Sequence, residues 1–184
     1  MPIDEVLKGI IQRIFIERRS TLLAESTIFQ AKDLADTCFG LRAQMLPCLK
    51  SLPIPAFEPE FDRQPGETGW TAGEIVSHNS DRLLWAMTEA FTTIGMNDSI
   101  RPQAPEVVVS NAAREPLLLS QNLAVEVLQE ANEYVESALL TLLAADRGQT
   151  AARTHHGQMS VRSWLLLICI HDDDHLKQLQ ARHR

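Results

Sequence analysis

The stretch that decides the fold is His171-Asp172-Asp173-Asp174-His175-Leu176-Lys177-Gln178, preceded by the apolar run Trp164-Leu165-Leu166-Leu167-Ile168-Cys169-Ile170. On a helical wheel at about 100° per residue, Val161, Trp164, Leu165, Ile168, Leu176 and Leu179 share one stripe. His175 falls inside that stripe and His171 at its edge, so both imidazoles face the core side. Residues four apart on a helix stand one turn from each other, with Cβ atoms roughly 5–6 Å apart, close enough to grip one ion. The spacing alone also fits a pair of core histidines. Asp172 lies near the centre of the stripe, and a carboxylate there needs a partner; the N–H of a metal-ligating imidazole is a good one. Asp173 and Asp174 point away and read as a solvated face.

Working outward, a second helix start is written at Trp70-Thr71-Ala72-Gly73-Glu74-Ile75. Thr71 and Glu74 make a capping box, and Trp70 and Ile75 are placed as a hydrophobic staple. That helix extends to about Ile94, where Gly95 ends it, and it carries His78 at the margin of its apolar face. Upstream, Leu34, Cys38, Leu41, Met45, Leu49 and Leu52 step at helical spacing after Thr27 and Gln30, which read as a capping box. Ile3, Val6, Leu7, Ile10, Ile11 and Ile14 make a shorter amphipathic helix over about 4–18. Downstream, Ala124, Val127, Leu128, Ala131, Tyr134, Val135, Ala138 and Leu142 mark a helix from about Glu115 to Ala145, with Pro116 suited to its first turn. Ser160 is the N-cap of the last helix, with Met159 and Trp164 as a staple.

The proline- and glycine-rich residues 53–69 are a connection, and 96–114 read as a loop with one extended segment at Val107-Val108-Val109. No strand partner is evident. His155 and His156 read as loop histidines outside any ligand set. The expected fold is all-α: a four-helix, up-down bundle (about 28–51, 71–94, 115–145, 160–182) forming a domain over 28–184, with residues 1–27 as an N-terminal helical extension.

Composition excludes some functions. With 184 residues, 45% hydrophobic and 22% charged, the chain suits one globular domain, and its net charge of −7 argues against a nucleic-acid surface. No run of about 18 uncharged apolar residues is present, so no membrane span is expected. The three cysteines, odd in number, read as reduced thiols of a cytoplasmic protein.

The pattern W-[ST]-x-x-E-x-x-x-H at Trp70 to His78, followed by H-D-x-x-H-x-x-Q at His171 to Gln178, resembles the DinB/YfiT-like four-helix-bundle superfamily over about residues 28–182. Gly157 to Trp164 is similar to the segment that opens that family's last helix. The resemblance implies that His78, His171 and His175 bind a divalent metal, Zn²⁺ or Ni²⁺ foremost with Fe or Mn also in range, and leave open positions. It further implies a small-molecule substrate, a low-molecular-weight thiol among the candidates, and thiol-S-transferase or hydrolase chemistry. Asp172 is the candidate for orienting a ligand from behind, with pairing to an Arg such as Arg42 as the alternative. The polar Ser77-His78-Asn79-Ser80 and the extra N-terminal helix depart from the family pattern. An HD-type phosphohydrolase would need a later Asp ligand, which the chain lacks after His175. The runner-up is a non-catalytic metal-binding or stress-related bundle; either reading allows a homodimer.

Overall fold

The capping signals set the helix starts. In the computed structural model, which describes residues 3–60, 62–153 and 156–183, Thr71 Oγ1 accepts from Glu74 N at 3.1 Å while Thr71 N donates to Glu74 Oε2 at 2.8 Å. Ser160 and Ser163 make the same reciprocal pair at 3.2 and 3.1 Å. The elements are α1 (Ile3–Ile11), α2 (Leu22–Ser26), α3 (Ala31–Ser51), α4 (Ala72–Thr93), α5 (Glu106–Asn111), α6 (Gln121–Ala145), β1 (Thr150–Arg153), β2 (Gly157–Ser160) and α7 (Val161–Ala181).

Several boundaries differ from the sequence reading, each for a physical reason. The N-terminal helix expected over about 4–18 is α1 followed by a π-helical turn over Gln12–Ile16, and a further short helix, α2, is tied to that turn by the Arg13–Glu25 ion pair at 2.7 Å. Thr27 does not open the next helix. Its hydroxyl donates back to Ala24 O at 2.7 Å and so closes α2, leaving Gln30 and Asp33 to start α3. Val107-Val108-Val109 are helical, not extended: Pro105 stands at the N-cap of α5 and Val108 is fully buried, so packing overrides β-propensity. The next long helix begins at Gln121 rather than near Glu115, because Leu117 N is taken by Ser77 Oγ at 3.1 Å and Ser120 supplies the cap. A small antiparallel hairpin, with Thr150 opposite Ser160 and Arg153 opposite Gly157, was not legible in the sequence. Four residues per strand are too few for an alternation to stand out.

Four long helices form the bundle. α3 packs on α7 and α6, and α4 packs on the same two, so the order around the bundle is α3, α7, α4, α6. Side-chain pairs fix the directions. Cys169 Sγ donates to Leu34 O at 3.3 Å and Ser51 Oγ meets His183 Nε2 at 3.4 Å, so α3 and α7 run parallel. Trp164 Nε1 donates to Thr93 Oγ1 at 3.1 Å and Asn79 Nδ2 to Asp172 Oδ1 at 2.8 Å, so α4 opposes α7. Arg42 Nε donates to Asn132 Oδ1 at 2.8 Å and Gln121 Nε2 to Leu52 O at 3.0 Å, so α6 opposes α3.

The sequence of directions is therefore up, down, down, up, which corrects the strictly alternating order. Two consecutive parallel helices need a long return. Residues 94–120 make it alongside α4: Ala113 N donates to Ser77 O at 3.4 Å, and Gly73 lies directly against the Leu119 backbone. α1 packs across α7 and changes the environment of its outer face. Asp173, read as solvated, is buried and held by Lys177 at 2.7 Å; Asp174 is exposed as expected. No helix among the described residues is long and apolar enough to cross a membrane.

Candidate metal centre

The antiparallel packing of α4 on α7 brings the three histidines together. Ring centroids lie 5.5 Å apart for His78 and His171, 5.6 Å for His78 and His175, and 4.3 Å for His171 and His175. One nitrogen from each ring falls within 4.8 Å of the other two. His78 and His171 are half-buried, and His175 is buried.

Hydrogen bonds assign the ring protons. Gln178 Nε2 donates to Asp174 Oδ2 at 2.9 Å, which turns its carbonyl oxygen toward His175 Nδ1 at 3.0 Å. A carbonyl only accepts, so Nδ1 carries the proton and Nε2 carries the lone pair. His175 Nε2 is buried with no hydrogen-bond partner among the described residues. His78 Nδ1 likewise faces the Arg114 carbonyl at 3.3 Å, leaving its Nε2 as the free acceptor. Burial, followed by the neighbouring His175 and His78, holds the His171 pKa down to about 2, and burial lowers that of His78 too. Burial, the largest cause at both residues, favours neutral imidazoles, the form that binds a metal. An orphaned buried lone pair on a ring grouped with two other imidazoles fits a divalent ion.

Asp172 is buried, as the wheel indicated, but its partners are not imidazoles. Oδ1 accepts from Arg42 Nη1 at 3.0 Å and Asn79 Nδ2 at 2.8 Å, and the Cys38 thiol approaches Oδ2 at 3.6 Å. Burial, and then the Asp172 charge, pushes the Cys38 thiol well up, so it stays protonated and can donate. The expected carboxylate–imidazole contact is thus replaced by an ion pair across the core, because the side chain projects toward α3 and α4 rather than along its own helix. The imidazole-orienting role falls to Gln178. Its spacing of three from His175 was a usable signal.

Trp70 packs over His78, with centroids 4.7 Å apart. Glu74 serves the cap and pairs with Arg63 at 2.9 Å, in line with its reading as a structural residue. His156 lies against Trp85 and Trp164, at 5.7 and 6.2 Å between centroids, outside the three-histidine group; His155 lies outside the described residues. Beside His171 a cavity of about 230 Å³ opens, lined among others by Asn79, Arg82, Leu83, Trp85 and Ile168. Comparison with family models, with curated proteins and with solved structures finds no match for this chain.

Proposed function

We propose that this protein is a divalent-metal-dependent enzyme of the DinB-like type, in which His78, His171 and His175 hold the ion. The observation that carries this reading is His175 Nε2, a buried lone pair with no hydrogen-bond partner among the described residues, on a ring grouped with two further imidazoles. An ion bound by three neutral imidazoles lowers the pKa of a water or thiol taken into its remaining position and so supplies a nucleophile near neutral pH. The chain's own groups prepare that position. Gln178 and the Arg114 carbonyl hold protons on the Nδ1 atoms of His175 and His78, and Trp70 shields one side of the His78 ring.

The cavity beside His171 is the substrate site in this reading. Leu83, Trp85 and Ile168 give it apolar walls, with Arg82 and Asn79 among its polar groups. A small molecule with an apolar body suits it, and the chemistry is thiol transfer or hydrolysis. Three free cysteines support a cytoplasmic setting.

The test is a titration of protein purified without a metal-affinity step, using Zn²⁺ and Ni²⁺ separately, followed by a panel of thiol-transfer and hydrolysis assays. One ion per chain is expected, abolished in His78→Ala, His171→Ala and His175→Ala. Absence of stoichiometric binding would overturn the reading. Binding with a fourth protein ligand closing the coordination, and no activity, would move it to a structural ion.

A further inference from the structure

The residue after His78 and the residue after His171 are bonded to each other. Asn79 Nδ2 donates to Asp172 Oδ1 at 2.8 Å, Arg42 Nη1 donates to the same oxygen at 3.0 Å, and Arg42 Nη1 also reaches Asn79 Oδ1 at 3.3 Å. The three side chains close a ring, each touching the other two. Arg42 Nε continues to Asn132 Oδ1 at 2.8 Å, so α3, α4, α6 and α7 are all tied at one level of the bundle. Exposure is 2% for Arg42, 1% for Asn79 and 1% for Asp172, so the ring is shielded from bulk solvent.

Such a cluster is a poor choice for stability alone. Buried ion pairs gain little over apolar packing of similar volume, while removing one partner is costly; their best-attested use is to specify register. This one is not completely satisfied, since Arg42 Nη2 is buried without a hydrogen-bond partner among the described residues. The rest of the α4–α7 seam is mainly apolar, with the Trp164 Nε1–Thr93 Oγ1 bond at 3.1 Å as a second polar tie about two turns away along α7. Asn79 and Asp172 fix the register at the histidine level: a slide of one turn leaves a charged carboxylate facing the wrong helix. That same slide would carry His78 away from His171 and His175.

We infer that Arg42, Asn79 and Asp172 are positioning residues that lock the register of α4 against α7, and so set the convergence of the three imidazoles on adjoining positions. This rests on the metal reading only for its consequence, since the register can be observed without metal.

Two variants test it, each purified metal-free and then titrated with Zn²⁺. Asn79→Ala keeps the Arg42–Asp172 pair. The triple variant Arg42→Met, Asn79→Leu, Asp172→Leu removes every charge of the ring and orphans none of its own members. Three quantities are read: melting temperature, Zn²⁺ affinity, and the nuclear Overhauser effect between the His78 and His171 ring protons in the metal-free protein. For the triple variant we expect melting at or above wild type, no Overhauser effect between the two rings, and Zn²⁺ affinity lower by about 10–100-fold, as for groups that orient ligands. Asn79→Ala should weaken the Overhauser effect and the affinity in the same direction; if the triple variant does not fold, Asn79→Ala decides alone. A folded variant that keeps both the Overhauser effect and the wild-type affinity overturns the inference. Should wild type bind no Zn²⁺, the three-histidine reading falls, and the ring-to-ring Overhauser effect still decides the register claim.

Discussion

Gly73→Ala separates helix propensity from tertiary packing, because the two demand opposite signs. In an exposed helix interior, Gly→Ala stabilises by about 0.8–1.0 kcal/mol. Gly73 sits in the first turn of α4, where a Cβ would lie 2.2 Å from Leu119 O, 2.8 Å from Leu119 N and 2.9 Å from Leu119 C. Ordinary contact begins near 3.4 Å, and all three neighbours are backbone atoms that no side-chain rotation can move. The crossover must shift by about 1 Å, against its bonds from Leu117 and Ala113 to Ser77. Overpacking of this kind costs about 1–3 kcal/mol, and the rigid partner puts it at the upper end. Against the propensity gain, the net loss is about 1–2 kcal/mol, or about 2–8 °C in Tm for a chain of this size.

Gly40→Ala is the matched control: Gly40 is exposed in the middle of α3 and a Cβ there meets nothing within 4 Å. It should stabilise by up to about 1 kcal/mol. Urea unfolding of the two variants beside wild type measures both signs at once. If Gly73→Ala raises stability as Gly40→Ala does, the close approach of the crossover to α4 is wrong, and with it the route that makes α4 and α6 parallel.

Thr71→Ala should lower stability by about 1–2 kcal/mol, because the buried Glu74 N–H loses its acceptor. Calorimetry with and without Zn²⁺ should show ion affinity nearly unchanged, since His78 stands two turns further on; an equal loss of affinity would contradict that. A third expectation concerns acid. With the folded His171 pKa held near about 2 and the unfolded value at about 6.5, the unfolded chain takes up a proton that the fold refuses. The stability of metal-free protein should therefore fall as pH drops below about 6.5, at up to about 1.4 kcal/mol per pH unit for this residue. His171→Leu should flatten that slope between about pH 6.5 and 4.5 in urea melts, and an unchanged slope would refute the assignment.

Local chemistry was legible wherever a short stretch of sequence determines its own structure. Capping boxes need only residues three apart, so Thr71 with Glu74 and the N-cap at Ser160 stood out in the chain itself. The apolar stripe of α7 likewise placed His175 and Asp172 on its buried side, because periodicity reports which face of a helix is covered. Thr27 shows where such reading ends: its hydroxyl had two local partners to choose from, and the preceding turn took it.

What required tertiary structure was everything set by contact between distant segments. Periodicity reveals that a helix has a buried face but not the direction of its neighbour, so the parallel run of α4 and α6 emerged only with the crossover held on Ser77. Asp173 changed from solvated to buried because α1, distant in sequence, packs across α7. Asp172 needed a partner by its burial alone. Which candidate it took, Arg42 joined by Asn79 rather than an imidazole one turn away, was decided by which helices surround α7, an arrangement the chain's own pattern does not contain.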